Sequence, residues 1–406
     1  MRPFEGRRIL LGVTGGIASY KSAWLARLLS QEGAAVDVVM TRAATEFIAP
    51  LTFEALTGRP VHTALIAQGH ALDHIKLARQ AHAVVVAPAT ADFCARAAHG
   101  RADDLLAAIL LATEARVLLV PAMNDRMWAH PQTRLNSEHL REIGYTVLNP
   151  EIGALAAGEG SGEGRMPEPE TIVAHVARLL DDGSFAGRNV VVTAGPTREL
   201  VDPVRVLSNR SSGRMGVALA AAAWRRGANV TLVAGPLEVP LPVGPRVVRV
   251  ETTEEMSAAV NAAVGTADVL VMAAAPADFR AATTASDKIK KGASAPSIEL
   301  APTPDILRES APHMRAGAVR VGFALESHDG LANARHKLES KSLDMIVLND
   351  ALEPDAGIGA ETNRVTIISR NGSEEQIPLM LKREIADIIL DRVRDRMLLE
   401  PAAHSR

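Results

Sequence analysis

Short runs of β-branched residues and leucine, each the length of one strand, alternate with segments whose apolar positions recur at helical spacing. In the first half, Arg8–Val13, Val36–Met40, Ala83–Ala87 and Val117–Val120 are almost continuously apolar, as strands buried on both faces must be. Between the first two, Ile17, Trp24, Leu25, Leu28 and Leu29 predict a helix that Gly33 stops. In the second half, Asn189–Thr193, Asn229–Val233, Val247–Val250, Asp268–Met272, Val319–Phe323 and Asp344–Leu348 repeat the pattern. Such alternation predicts an α/β protein with doubly wound, mainly parallel sheets covered by helices on both faces. The pattern breaks after Pro150. Residues 153–169, rich in Gly, Glu and Pro, read as a loop or flap, Thr171–Leu180 as a closing helix, and Asp181-Asp182-Gly183-Ser184 as a linker. Two domains are expected, 1–182 and 183–406.

Composition narrows the classes. A length of 406 residues exceeds what one hydrophobic core supports. Aromatic residues make up only 3% of the chain, so Ala, Val, Leu and Ile must build the cores. A formal net charge of -3 supplies no basic field and argues against nucleic acid as a partner. Cys94 is the single cysteine, which excludes an internal disulfide and a cysteine metal cluster; its predicted helix makes it a small core residue. Glu114 and Arg116 interrupt the longest apolar stretch, Leu105 to Val120, and Ile9–Val13 is too short for a signal-peptide core. No membrane partner and a cytoplasmic location are expected.

Candidate chemistry clusters after the strands. The turn Gly12-Val13-Thr14-Gly15-Gly16-Ile17 leads from a strand into a helix, where backbone N–H groups can meet an anion. Its spacing is not G-x-G-x-x-G, so a mononucleotide fits better than a dinucleotide; a tight turn without a ligand remains equally open. Met40-Thr41-Arg42, Pro88-Ala89-Thr90-Ala91-Asp92 and Pro121–Trp128 fall at other strand ends, where hydroxyls and amides can hold a ring or phosphate, or merely cap the strands. His70 and His74 have the i, i+4 spacing of metal ligands, but Ala71 stands where H-E-x-x-H has its glutamate.

Gly12–Ile17, Pro88–Asp92 and Pro-x-Met-Asn-x-x-Met-Trp at 121–128 together resemble the flavin-containing cysteine decarboxylases. Asp73-His74-Ile75-Lys76-Leu77-Ala78 resembles the catalytic histidine segment of phosphopantothenoylcysteine decarboxylase. The resemblance implies a flavodoxin-like domain of the flavin cysteine decarboxylase type, with FMN contacted by Gly15, Gly16, Thr41, Thr90 and Met123. It implies His74 as the catalytic histidine and Asn124 as the residue that binds the departing carboxylate. In that family a flap cysteine protonates the enethiolate during the closing reduction; here the position is Ala157, and a methyl group donates no proton. Glu159, Glu163 or water are the substitutes the sequence offers.

In the second half, Thr193–Glu199 follows a strand, and Ser208-Asn209-Arg210-Ser211-Ser212-Gly213-Arg214-Met215-Gly216 leads into an alanine-rich helix. Small residues, hydroxyls and a helix start can cradle an anion, or form a polar surface loop. Lys288-Ile289-Lys290-Lys291 could neutralise a triphosphate or be a solvated face. Lys337 and Lys341 share one face if Leu331–Lys341 is helical.

These segments, with Asp202-Pro203-Val204-Arg205, resemble phosphopantothenoylcysteine synthetase, a Rossmann-like ligase. The resemblance implies that CTP activates the carboxylate of 4'-phosphopantothenate as an acyl-cytidylate and that L-cysteine displaces CMP, with Mg2+. It places the nucleotide at Met272, Ala273, Ala274, Asp278 and Lys288, at Pro304, Asp305, Ile306 and Leu307, and at Phe323, Lys337 and Lys341. Asn209 would assist conversion of the acyl-cytidylate, and Pro276 replaces the usual aliphatic residue before Asp278. A homo-oligomer is implied, with a trimer-based decarboxylase, paired ligase domains, and a dodecamer as the combined state. Two rivals stand beside this reading. One is an active ligase with a scaffold-only flavodomain, because of Ala157. The other is a nicotinamide oxidoreductase, against which the absence of G-x-G-x-x-G in both halves weighs.

Overall fold

The computed structural model describes residues 3–66, 68, 72–290, 297–326, 328–350 and 359–399. The chain divides into two compact units, Met1–Asp181 and Asp182–Arg406. Each is described by itself.

The strands of the first unit are β1 (Arg8–Val13), β2 (Ala35–Met40), β3 (Val61–His62), β4 (Ala83–Ala89), β5 (Arg116–Pro121), β6 (Thr146–Val147), β7 (Glu151–Ala154) and β8 (Ser161–Arg165). Its helices are α1 (Ser19–Gln31), α2 (Pro50–Thr57), α3 (Asp73–Gln80), α4 (Ala91–Ala98), α5 (Leu105–Ala112), α6 (Asp125–Ala129), α7 (Pro131–Glu142) and α8 (Pro169–Leu180). Six strands form a parallel sheet in the order β3-β2-β1-β4-β5-β6, so the direction of winding reverses between β1 and β4. Leu25 and Leu29 of α1 and Ile172 and Val176 of α8 fill one face; Phe93, Leu106 and Ile109 fill the other. Cys94 lies in that second core, and burial pushes its thiol up to about 12. The thiol is therefore inert.

Two features differ from the sequence pattern. Ile17 precedes α1 and is exposed, as is Trp24, while Lys21 and Ser22 face inward with Leu25. Specific polar partners turn the helix: Ser22 Oγ donates to Ala87 O at 2.6 Å and Lys21 Nζ to Met166 O at 2.9 Å. The segment read as a flap contains the antiparallel hairpin β7–β8.

The second unit contains β9 (Asn189–Ala194), β10 (Arg198–Leu200), β11 (Val206–Ser208), β12 (Asn229–Ala234), β13 (Arg246–Arg249), β14 (Val269–Met272), β15 (Phe279–Ala281), β16 (Leu300–Pro302), β17 (Val319–Glu326), β18 (Met345–Asp350), β19 (Thr362–Ser369) and β20 (Glu374–Leu381). Its helices are α9 (Arg214–Arg225), α10 (Thr253–Val264), α11 (Ile306–Ser310), α12 (Gly330–Ser340) and α13 (Lys382–Leu399). The main sheet runs β13-β12-β9-β14-β17-β18-β19-β20, parallel up to β18 and antiparallel thereafter. Its reversal lies between β9 and β14. Leu219 of α9 and Ile385, Ile389 and Leu390 of α13 cover one face; Met256, Val260, Leu307 and Leu338 cover the other.

Among the described residues no helix is long and apolar enough to cross a membrane. The approach of α9 to β9 depends on Gly216, where an added Cβ would stand 2.5 Å from Ala194 Cβ and 2.6 Å from Thr193 O. Neither neighbour is the end of a flexible side chain. Gly216→Ala is expected to destabilise the second unit by about 1–3 kcal/mol, read as a lowered unfolding midpoint for that unit in calorimetry.

Candidate functional site

In the first unit the site is built at the reversal between β1 and β4. Thr14 donates from Oγ1 to Pro88 O at 2.8 Å and accepts from Thr90 N at 3.1 Å, tying the two strand ends together. Thr90 caps α4 by accepting from Phe93 N, and Thr41 caps the following 3-10 turn by accepting from Ala44 N, each at 3.3 Å. A hydroxyl that accepts in a cap keeps its own hydrogen for a ligand. A Cβ on Gly15 would strike Ala43, whereas one on Gly16 would meet only Thr90 Cγ2 at 3.8 Å, so open space borders Gly16 and Thr90. Neutral donors around small residues suit a phosphate and the polar edge of a flat ring, and thus suit FMN.

The flap root adjoins this edge. Met123 N donates to Gly164 O at 3.0 Å, and a Cβ on Gly164 would stand 2.1 Å from Met123 O. Asn124 caps α6 by accepting from Arg126 N at 2.9 Å, which leaves its amide hydrogens for a carboxylate. Ala157 is exposed at the hairpin tip, where Glu159 N donates to Ala156 O at 3.0 Å. Glu163 is engaged by Arg134 at 3.2 Å, and Arg134 stacks on Trp128 at 4.5 Å. His74 stands in the first turn of α3, and its Nδ1 is buried without a partner among the described residues. His70 and Ala71 lie outside the described residues. Among those described, no group of three or more His, Cys, Asp or Glu side chains could hold a metal.

In the second unit a cavity of about 530 Å³ opens at the carboxyl ends of β14 and β17, beside the start of α9. Asn209, Met272, Ala273, Ala274, Asp278, Pro304, Asp305, Ile306, Leu307, Phe323, Lys337 and Lys341 all line it. Lys288 does not: it is exposed, on a segment held where Ile289 N donates to buried Asp202 at 3.1 Å. Lys291 lies outside the described residues.

A buried hydroxyl network shapes the cavity wall. Thr193 Oγ1 accepts from Ala274 N at 3.0 Å, and Thr197 Oγ1 from Ala277 N at 2.9 Å. Thr197 also meets Thr253 Oγ1 at 2.8 Å, and Thr253 donates from N and Oγ1 to Glu199, each at 2.9 Å. Asn209 Nδ2 donates to Ala275 O at 3.2 Å and Pro276 O at 3.0 Å, so its oxygen is what remains for a substrate. Lys337 donates to Phe323 O at 2.9 Å and Lys341 to Asp305 at 3.0 Å.

Arg210 and Arg214, from the Ser208–Gly216 segment, also line the cavity, as do Asn349, Asn363 and Lys382, which nothing in their local sequence marked. They converge through long-range packing of α9, β18, β19 and α13.

The Lys337 ammonium is held below the usual lysine range by burial and then by Lys341 beside it. An alkaline limb in the pH profile of nucleotide-dependent turnover is therefore expected below ordinary lysine ionisation. Lys341→Ala removes the like charge and should move that limb upward; an unmoved limb would separate it from Lys337.

Two family models match the chain: "Flavoprotein" over residues 2–181 and "DNA/pantothenate metabolism flavoprotein C-terminal domain" over residues 185–397. A protein of Vibrio cholerae named coenzyme A biosynthesis bifunctional protein CoaBC is 42% identical over 401 residues, covering 98% of this chain and 100% of its own. The Escherichia coli (strain K12) protein of that name is 43% identical over 394 residues, covering 96% and 97%. The one from Mycolicibacterium smegmatis is 43% identical over 406 residues, covering 95% and 97%.

Proposed function

The chain belongs to the family of bifunctional coenzyme A biosynthesis proteins, and from that premise we propose how its two units divide the work. The second unit ligates L-cysteine to 4'-phosphopantothenate at the expense of CTP, and the first decarboxylates the product to 4'-phosphopantetheine. The observation that carries the ligase assignment is the single cavity lined by Met272–Ala274, Asp278, Pro304–Leu307, Phe323, Lys337 and Lys341. Small residues let a nucleotide approach the β14 end, and the two lysines offset charge on departing pyrophosphate. Lys288 stands outside the cavity lining, on the exposed segment that Asp202 anchors, and meets the triphosphate only where that extends beyond the lining. Asp278, which lines the cavity, would hold Mg2+ brought in with the nucleotide, and the metal would offset phosphate charge.

Asn209 acts after activation. With its amide hydrogens on Ala275 and Pro276, its oxygen accepts from the incoming amine and aims it at the acyl carbon. Asn209→Ala should release pyrophosphate yet couple cysteine about 10²- to 10³-fold more slowly, with acyl-cytidylate visible in quenched samples. Equal loss of both steps would refute that role.

In the first unit, Gly15, Gly16, Thr41, Thr90 and Met123 hold FMN, which supplies the two-electron oxidation and reduction. His74 manages the substrate proton through its unpartnered ring nitrogen, and Asn124 binds the carboxylate that leaves as CO2. A homo-oligomer completes the site around His74. Ala157 carries no acid, so Glu159, Glu163 or water gives the closing proton, Glu163 lying 3.2 Å from Arg134. Mass spectrometry of a reaction with phosphopantothenate, cysteine, CTP, Mg2+ and FMN-loaded protein should show phosphopantetheine. Arrest at phosphopantothenoylcysteine would leave the first unit as a scaffold. Ala157→Cys should shorten any lag between CO2 release and phosphopantetheine; an unchanged lag would remove the proton step as its cause.

A further inference from the structure

Behind the cavity wall of the second unit lies a buried acid. Glu199, in β10, is 3% exposed. Its Oε1 accepts from Thr253 N and from Thr253 Oγ1, each at 2.9 Å. Thr253 is the first residue of α10, so its N–H has no partner within the helix, and the positive helix end meets the acid. A buried acid is unfavourable unless such donors reach it.

The acid also orders the hydroxyls beyond it. A carboxylate only accepts, so the Thr253 hydroxyl donates to Glu199 and accepts from Thr197 Oγ1, 2.8 Å away. Ala277 O, 3.3 Å from Thr253 Oγ1, is a longer and neutral acceptor, so the carboxylate decides the direction. Thr197 Oγ1 in turn accepts from Ala277 N at 2.9 Å. The chain therefore runs one way, from the Ala277 N–H through two hydroxyls to the acid, and each donor strengthens the next. Ala277 and Asp278 line the cavity. Thr303 holds their other side, donating from Oγ1 to Ala277 O at 2.6 Å and from N to Asp278 O at 3.0 Å. The segment that carries Asn209 is tied differently: Ser208 Oγ donates to the Thr197 carbonyl at 2.7 Å, outside the hydroxyl chain.

We propose that Glu199 is a positioning residue for the nucleotide: its charge fixes the direction of the hydroxyl chain, which holds Ala277 and so sets where Asp278 meets the triphosphate. This rests on the ligase reading above. Glu199 touches neither substrate nor reacting atoms and acts only through Thr253 and Thr197. Because Ser208 hangs from a backbone carbonyl, the chain governs the nucleotide side of the cavity and leaves the side where Asn209 receives the amine.

The test is steady-state CMP release by the full FMN-loaded chain at saturating 4'-phosphopantothenate, with CTP and then L-cysteine varied. Glu199→Gln keeps the size, removes the charge and adds a donor, so the chain can reverse. It should raise KM for CTP about tenfold and leave KM for L-cysteine within about twofold. Thr197→Val, which cuts the chain, should do the same, and the double substitution should raise KM for CTP no further than either alone. Effects that multiply in the double substitution, or a KM for L-cysteine that rises in step with that for CTP, would overturn the inference and leave Glu199 as general support for the fold. An unchanged KM for CTP in Glu199→Gln overturns it equally. If circular dichroism shows that Glu199→Gln does not fold, Thr253→Val is compared with Thr253→Ser, because the Thr253 hydroxyl links the acid to the chain. KM for CTP should then rise in Thr253→Val alone, and equal values overturn the inference. Absence of CMP release by the unsubstituted protein with phosphopantothenate and cysteine would instead refute the ligase reading.

Discussion

Each unit depends on a buried threonine that ties the end of its first strand to the end of the strand across the reversal. Thr14 joins β1 to Pro88 and Thr90, and Thr193 joins β9 to Ala274. At a reversal the connecting helices leave toward opposite faces, so a crevice opens with strand-end backbone groups beneath it. Those groups need partners. A hydroxyl can accept on one side and donate on the other, which satisfies the backbone without filling the crevice. The turns at Pro88–Thr90 and at Ala274 hang from these ties.

In the second unit the tie extends into a network. Thr197, Thr253 and Glu199 are all buried, and together they fix Ala277, one residue before Asp278. Pro276 restrains the backbone within that loop. The loop is thus held from beneath by hydroxyls and from above by Asn209, whose two carbonyl contacts leave only its oxygen for chemistry.

The two sites differ in how they use charge. The decarboxylase edge offers neutral donors, Thr41, Thr90 and Asn124, because its cofactor brings the redox chemistry. The cavity of the second unit brings lysines and arginines, which suit the phosphates of the proposed nucleotide. The flap belongs to the first kind. Its glycines fit Gly164 against Met123 and Gly162 against Asp125, so its root is set by backbone packing, while its tip presents Ala157. Whatever acid serves there is not built into that position.

The sequence by itself determined the buried strands, because a strand covered on both faces must be apolar at nearly every position, and β1, β4, β9 and β14 are. It determined the turns too, since glycines, prolines and threonines at strand ends leave few local conformations. Its reach ended where neighbours are distant in the chain. Trp24 and Ile17 fit a helical stripe, yet Ser22 and Lys21 turn inward because Ala87 and Met166 supply carbonyls. The antiparallel pair β19–β20 continues the sheet without the fully buried signature of its parallel neighbours. Lys288, singled out by its cationic run and the family resemblance, lies outside the cavity lining, while Lys382 and Asn363, unmarked by any motif, lie within it. Only tertiary structure decides such cases: a side chain's charge is local, but its burial and company are set by elements brought together from far along the chain.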